Sequence, residues 1–183
     1  MNAPLGHSGM TNWQAIVTEH GPRLWRTAYR LTGNEADAAD CVQETFVSAL
    51  DYSQGRTVRD WSALLVRLAT HRSLDLLRRR RRGDGKAIGL DDWSGVAGRA
   101  ADPAAPSLNG ELADSLRTAL ARLPGRQAEV FCLRFVQEMS YRQIAFELEM
   151  SLPAVAVTLH RARRALRREL QSEMELHRRG LTP

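Results

Sequence analysis

The stretch from Ser140 to Arg168, SYRQIAFELEMSLPAVAVTLHRARRALRR, constrains the fold of this chain more than any other. Ser140 and, three residues on, Gln143 form a capping-box pattern, which predicts a helix from Tyr141. Ile144, Ala145 and Leu148 give that helix one apolar face. Ser151 can cap a second helix, and Pro153 fits its first turn, where a missing N–H costs little. From Val155 the apolar residues Leu159, Ala162, Leu166 and Leu170 follow at spacings of four, three, four and four, one helical stripe. At about 100° per residue, the opposite face carries Pro153, Val157, His160, Arg161, Arg164 and Arg167. A small Ala145 near the crossing suits a helix-turn-helix, whose second helix enters the major groove of DNA. An ordinary helical hairpin with a solvated arginine face has the same pattern, so the rest of the chain must decide.

A length of 183 residues allows one large domain or two small ones. The formal charge is +5, and among 26 basic residues only Lys86 is lysine. Arginine is the better bidentate ligand for phosphate and guanine, although biased codon usage gives the same excess. More informative is the segregation: arginines gather at Arg78 to Arg82 and at Arg161 to Arg168, with acidic residues concentrated elsewhere. Cys41 and Cys132 lie far apart in apolar helical settings without a Cys or His partner at metal-ligand spacing. They read as reduced core residues of a cytoplasmic protein, with no metal site and no cofactor expected. No signal segment and no apolar run near 18 residues is present, so neither secretion nor membrane insertion is expected.

Residues 1–11 are small and polar and read as a disordered lead-in. A first helix from Trp13 places Ile16, Val17, Leu24, Ala28 and Leu31 on one face, with a break expected near Gly21-Pro22 and a stop at Thr32-Gly33-Asn34. A second, Glu35 to Asp51, has Ala38, Ala39, Val42, Phe46, Ala49 and Leu50 as its apolar stripe, and Glu35, Asp37, Asp40, Gln43 and Glu44 on the remaining face. Those acids suit the helix dipole, or a docking surface for a basic partner. After the polar loop Tyr52 to Arg59, a third helix over 60–82 has Trp61, Leu64, Leu65, Leu68, Ala69, Leu74 and Leu77 as core candidates and ends in five arginines. Their mutual repulsion would be relieved by a phosphate backbone. Residues 83–109, rich in Gly, Ala, Asp and Pro, read as a linker, with Ile88, Leu90 and Trp93 hinting at packing. A helix over 110–123, broken by Pro124-Gly125, presents Leu112, Leu116, Ala119, Leu120 and Leu123; another over 126–136 precedes the helix-turn-helix. The last helix continues into the tail, 173–183, and ends at Gly180. The expected fold is all-α: two small helical domains, 12–82 and 110–172, on a flexible tether.

In this order the motifs resemble the extracytoplasmic-function (group IV) sigma factors of bacterial RNA polymerase, a likeness running from about Trp13 to Leu170. The run from Ala36 to Phe46, ADAADCVQETF, resembles region 2.2, the helix that grips the clamp helices of the β′ subunit. The resemblance therefore implies Asp37, Asp40, Gln43 and Glu44 as the face that binds core polymerase, with the β subunit as a further contact. Trp61, Leu64, Leu65, Leu68, Ala69, Leu74, Asp75 and Arg78 match the pattern of regions 2.3 and 2.4. That match implies opening of the −10 element and capture of a flipped base, by the loop with Tyr52, Arg56 and Arg59 and by His71, Arg72, Arg78, Arg79 and Arg80. His71 stands where the family often has Asn, and Asp75 has an alternative use in pairing with Arg78 or Arg79 one turn on. Leu123-Pro124, Gln127, Val130-Phe131 and Leu133-Arg134 resemble region 4.1. Ser140-Tyr141, Ile144-Ala145 and Leu159-His160-Arg161-Ala162-Arg163 resemble region 4.2, which binds the −35 element.

Two departures individualise the chain. Glu149 stands where the family's turn usually has Gly, so a positive φ there would cost on the order of 1 kcal/mol. Ala156-Val157-Thr158 replaces a triplet that is often polar and basic, so −35 readout should lean on His160, Arg161 and Arg164. Val157 offers one apolar contact to a thymine methyl, Pro153 and Ala156 lie beside it, and Arg142 and Gln143 contact backbone. A relaxed −35 preference is expected. The implied function is promoter recognition by a non-enzymatic subunit of RNA polymerase, with promoter DNA as ligand and an anti-sigma protein as partner. A stand-alone helix-turn-helix regulator and a sigma-like adaptor are the alternatives.

Overall fold

The computed structural model describes residues 11–83 and 108–178. Within them the chain forms seven helices and no strand: α1 (Trp13–Thr32), α2 (Glu35–Ser53), α3 (Trp61–Arg82), α4 (Leu108–Arg122), α5 (Gly125–Phe135), α6 (Tyr141–Glu147) and α7 (Leu152–Arg178). The packing hints at Ile88, Leu90 and Trp93 and the end at Gly180 lie outside the described residues.

Local chemistry sets the boundaries. Asn12, Asn34 and Asp60 cap α1, α2 and α3, each side chain accepting from the backbone N–H three residues on. Gly33 and Gly83 end α1 and α3 at φ values of 70° and 79°, the left-handed conformation that costs glycine least. The expected break near Gly21-Pro22 does not occur. Helix α1 runs through Pro22, whose ring points to solvent, while Ile16, Leu24 and Ala28 stay buried on either side. Packing on α2 and α3 thus outweighs the roughly 3 kcal/mol that an internal proline costs.

Helices α1, α2 and α3 pack mutually, and α4 to α7 form a second group around α7. The two groups share their cores. Leu24, Ala28, Leu65 and Ala69 cluster with Val130, Leu133, Ile144 and Val155, while Leu31, Leu74 and Leu77 cluster with Ala119, Leu120, Leu123 and Cys132. Helix α3 is the common element, touching α4, α5 and α6 as well as α1 and α2.

Two expected core positions are corrected. Leu50 is 43% exposed, because the stripe of α2 is rotated toward Cys41 and Thr45, both buried. Leu112 is 63% exposed, since α4 begins at Leu108 and makes its core contacts only from Leu116 onward. The expected loop from Tyr52 likewise starts later, because α2 runs to Ser53.

Candidate nucleic-acid interface

The helix-turn-helix forms as its residues dictate. The Ser140 side chain accepts from the Gln143 N–H at 3.3 Å, and the Gln143 side chain accepts from the Ser140 N–H at 2.9 Å, closing the capping box. Glu149 adopts φ 52° in the turn, the left-handed geometry that the glycine-free sequence put in question. Ser151 then caps α7, accepting from the Ala154 N–H at 3.3 Å. Val155, Leu159, Ala162 and Leu166 are buried beneath α7. The opposite face presents Pro153, Ala156, Val157, His160, Arg161 and Arg164 to solvent in one band, with Arg142 and Gln143 exposed on α6. All eight residues expected at the −35 element are therefore on the surface of one helix pair. Gln143 keeps only its amide N–H groups for DNA, its carbonyl being occupied by the cap.

The residues expected at the −10 element divide. Tyr52, Arg56 and Arg59 share the loop after α2, where Gly55 at φ 72° makes the reversal and the Arg56 guanidinium lies 4.7 Å over the Tyr52 ring. His71 and Arg72 follow on α3. His71 Nδ1 sits 3.3 Å from Asp75, and Arg72 is 3.6 Å from Glu44 and donates to Ser48 Oγ at 2.9 Å. Arg78, Arg79 and Arg80 lie toward the far end of α3, roughly 26–29 Å along its axis from Trp61 at ~1.5 Å per residue. Arg78 pairs with Asp75 at 3.0 Å and runs under α5, and Arg80 pairs with Asp37. The arginine run is therefore partly neutralised within the chain.

On α2, Gln43 and Glu44 are exposed, Asp40 is half-buried, and Asp37 is drawn to Arg80. Burial, and then the neighbouring Glu44, push the Asp40 carboxyl above its ordinary range. Next to these acids the surface continues into Val47 and Leu50, 55% and 43% exposed, which sequence reasoning missed. Leu50 was assigned to the core by periodicity, and nothing in the pattern marked Val47. Exposed apolar residues beside carboxylates fit protein docking better than a solvated acidic stripe.

Two further residues carry no sequence signal. Arg67 Nε on α3 lies 3.4 Å from Glu147 Oε2 on α6, with the Glu147 side chain 9% exposed. Burial raises the Glu147 pKa, an effect that Arg67 only partly opposes. Around this pair opens a cavity of about 730 Å³, which Tyr52 and Arg59 line from the first half and Phe146 and Glu149 from the second. No group of His, Cys, Asp and Glu suited to a metal ion occurs among the described residues, and no helix there is long and apolar enough to cross a membrane.

Comparison with known proteins places both halves. The family Sigma-70 region 2 matches residues 16–83, and Sigma-70, region 4 matches residues 113–166. The ECF RNA polymerase sigma factor SigL of Mycobacterium tuberculosis is 34% identical over 162 residues, covering 86% of this chain and 88% of SigL. The ECF RNA polymerase sigma factor SigE of Mycolicibacterium smegmatis is 32% identical over 160 residues, 87% of this chain, which spans only 62% of SigE. Among solved structures, CnrH in complex with the cytosolic domain of CnrY matches at a TM-score of 0.54 and 27% identity, over 88% of this chain and 91% of that one.

Proposed function

The chain belongs to the extracytoplasmic-function RNA polymerase sigma factors, and from that premise we propose that it joins core RNA polymerase, recognises promoter DNA and directs initiation at a set of alternative promoters. The observation that carries this reading is the single exposed band of Pro153, Val157, His160, Arg161 and Arg164 on a capped helix-turn-helix, in a chain whose other half carries an acidic docking face. In this reading residues 12–82 form the polymerase-binding and −10 unit, residues 110–172 form the −35 unit, and residues 83–109 link them.

Asp37, Asp40, Gln43 and Glu44 meet the β′ clamp helices, with Val47 and Leu50 adding apolar contact, and the β subunit contacts the second half. Tyr52, Arg56 and Arg59 hold an unstacked base of the −10 strand by stacking and charge, and His71 and Arg72 track its backbone. The arginines at the end of α3 act further along the phosphates, Arg79 more freely than Arg78 or Arg80. On α7, Arg161 and Arg164 read guanine edges or phosphates, and His160 and Val157 add weaker contacts. The protein is a transcription initiation factor working in the cytoplasm, with catalysis supplied by core polymerase. CnrH is held by a cytosolic protein domain in its solved complex, and an anti-sigma partner is proposed here by likeness.

Run-off transcription with bacterial core polymerase on fragments of the source genome tests the reading. Specific starts should need the chain and should vanish for the Asp40→Ala, Gln43→Ala double variant. Tight DNA binding without core, and no starts with it, would favour a regulator or adaptor instead.

A further inference from the structure

We propose that the groove-entering end of α7 reads the 5-methyl groups of pyrimidines, so that the chain selects its −35 element by thymine methyls and accepts 5-methylcytosine in their place. The inference rests on the reading of α7 as the −35 helix and names what its first two turns recognise.

In those turns the polar groups are already engaged. The Ser151 hydroxyl accepts from the Ala154 N–H at 3.3 Å, and the Ser151 carbonyl accepts from the Val155 N–H at 3.0 Å. Pro153 has no N–H to offer. The side chains left facing outward are Leu152, Pro153, Ala156 and Val157, with Leu152 45% and Val157 49% exposed. Thr158 lies about 100° around the helix from Val157 and is half-buried. The first polar side chain on the outer face is His160, about 4.5 Å beyond Val157 along the axis. The seam where α3 meets α4, α5 and α6 leaves this outer face exposed.

A recognition helix meets base edges with its N-terminal residues. Donors and acceptors on those edges find no partner in Leu152, Ala156 or Val157, whichever base pair presents them. The one apolar feature of the major groove is the methyl at carbon 5 of thymine. 5-Methylcytosine carries the same methyl on the same ring atom, so a methylated C·G pair keeps the contact. From Leu152 to Val157 the apolar surface covers about 7.5 Å, enough for two base-pair steps at ~3.4 Å each. Arg161 and Arg164 follow on the same face and supply charge for the phosphates, which fits duplex DNA and not an apolar protein surface. Covering one methyl group corresponds to about a fourfold change in affinity, less than a bidentate arginine gives, so the preference is shallow.

The test uses holoenzyme assembled from the full chain and core polymerase, on promoters located by run-off transcription. Each thymine of the −35 element, on either strand, is replaced in turn by deoxyuridine, which removes the methyl and keeps every hydrogen-bonding group. At one or two positions the change should weaken promoter binding about fourfold. Replacing a sensitive T·A pair by C·G should also weaken binding, and 5-methylcytosine there should recover about fourfold over plain cytosine. Val157→Ala trims an exposed side chain without touching the core, and should bring the ratio of thymine to deoxyuridine binding within about twofold at one of those positions. Arg164→Ala should weaken both templates alike.

A −35 element without thymine, or one in which no position responds to deoxyuridine, would overturn the inference. So would a response that Val157→Ala and Leu152→Ala both leave unchanged. If core polymerase gives no specific starts, the functional reading falls instead, and the same substitutions in duplexes selected by the free chain decide the inference.

Discussion

Helix α7 and the loop after α2 both carry arginines suited to DNA, yet α7 turns Val157, His160, Arg161 and Arg164 to solvent while the loop looks across a cavity at Phe146 and Glu147. The difference comes from how the two helices of the helix-turn-helix divide their work. Helix α7 buries one stripe and leaves its opposite face free. Helix α6 is short, and its Ile144 and Leu148 belong to a core that both halves share. Helix α6 therefore carries the second half onto the first without using the recognition face. The two DNA surfaces of the free chain should behave differently, and the contrast can be broken at several points.

The largest effect is expected at Leu74, 1% exposed on the common helix α3. Leu74→Ala should cost about 2–5 kcal/mol, the usual range for a truncated core leucine. Three of the four tryptophans, Trp13, Trp25 and Trp61, lie in the first half, so in a Trp93→Phe background fluorescence follows that half, whereas circular dichroism follows every helix. Both signals should shift to lower urea together. Separate transitions in the unmodified protein would mean that the halves fold independently and the shared core contributes little.

Next in size is a comparison of Arg161→Ala with Arg59→Ala. For the free chain on duplex DNA, Arg161→Ala should weaken binding by about 1–3 kcal/mol and lower the salt slope by about one. Arg59→Ala should leave free-chain binding within about twofold, because its loop faces α6, as expected for a contact outside the bound surface. With core polymerase present, both variants should impair open-complex formation. Equal losses in the free chain would erase the contrast between the two surfaces.

A smaller effect belongs to the turn itself. Glu149 sits at φ 52°, where a residue with a Cβ is strained and glycine is not. Glu149→Gly should raise the unfolding free energy, and with it the urea midpoint, by about 1 kcal/mol less the entropy that glycine loses on folding. No change would show that the turn has no strain to release.

Much of this architecture was legible because single residues announce it. Ser140 with Gln143, Asn34 after Gly33, and Ser151 before Pro153 are local signals that need no tertiary partner, and each helix starts where they place it. Pro22 failed as a signal because its penalty is local while the compensation, burial of Leu24 and Ala28, is tertiary. Periodicity also misassigned Leu50 and Leu112, since a stripe defines a face but not how far along the helix a neighbour reaches. Of the candidate site, the face of α7 was readable because its stripe and its arginines are both periodic. The meeting of Arg67 with Glu147 was not, because eighty positions separate them and neither breaks the pattern of its own helix.

The smallest predicted effect concerns that same pair and asks whether charge or apolar contact holds the seam. Burial raises the Glu147 pKa more than Arg67 lowers it, and Asp60 adds to the rise. The enclosed form therefore binds a proton more tightly than the exposed one, so this contribution is complete below the ordinary carboxylate pKa and is lost as pH rises through the raised value. Lowering the pH from neutral toward that value should slightly increase stability against urea through this group. Asp40, raised by its own burial and by Glu44, adds a shift of the same sign within the first half. Glu147→Gln separates the two by removing only the seam's share, so the variant should show a shallower pH dependence than the native chain. A steeper one would mean that the Arg67 pair outweighs desolvation, and that the halves are held by charge rather than by the Leu74 and Leu77 core.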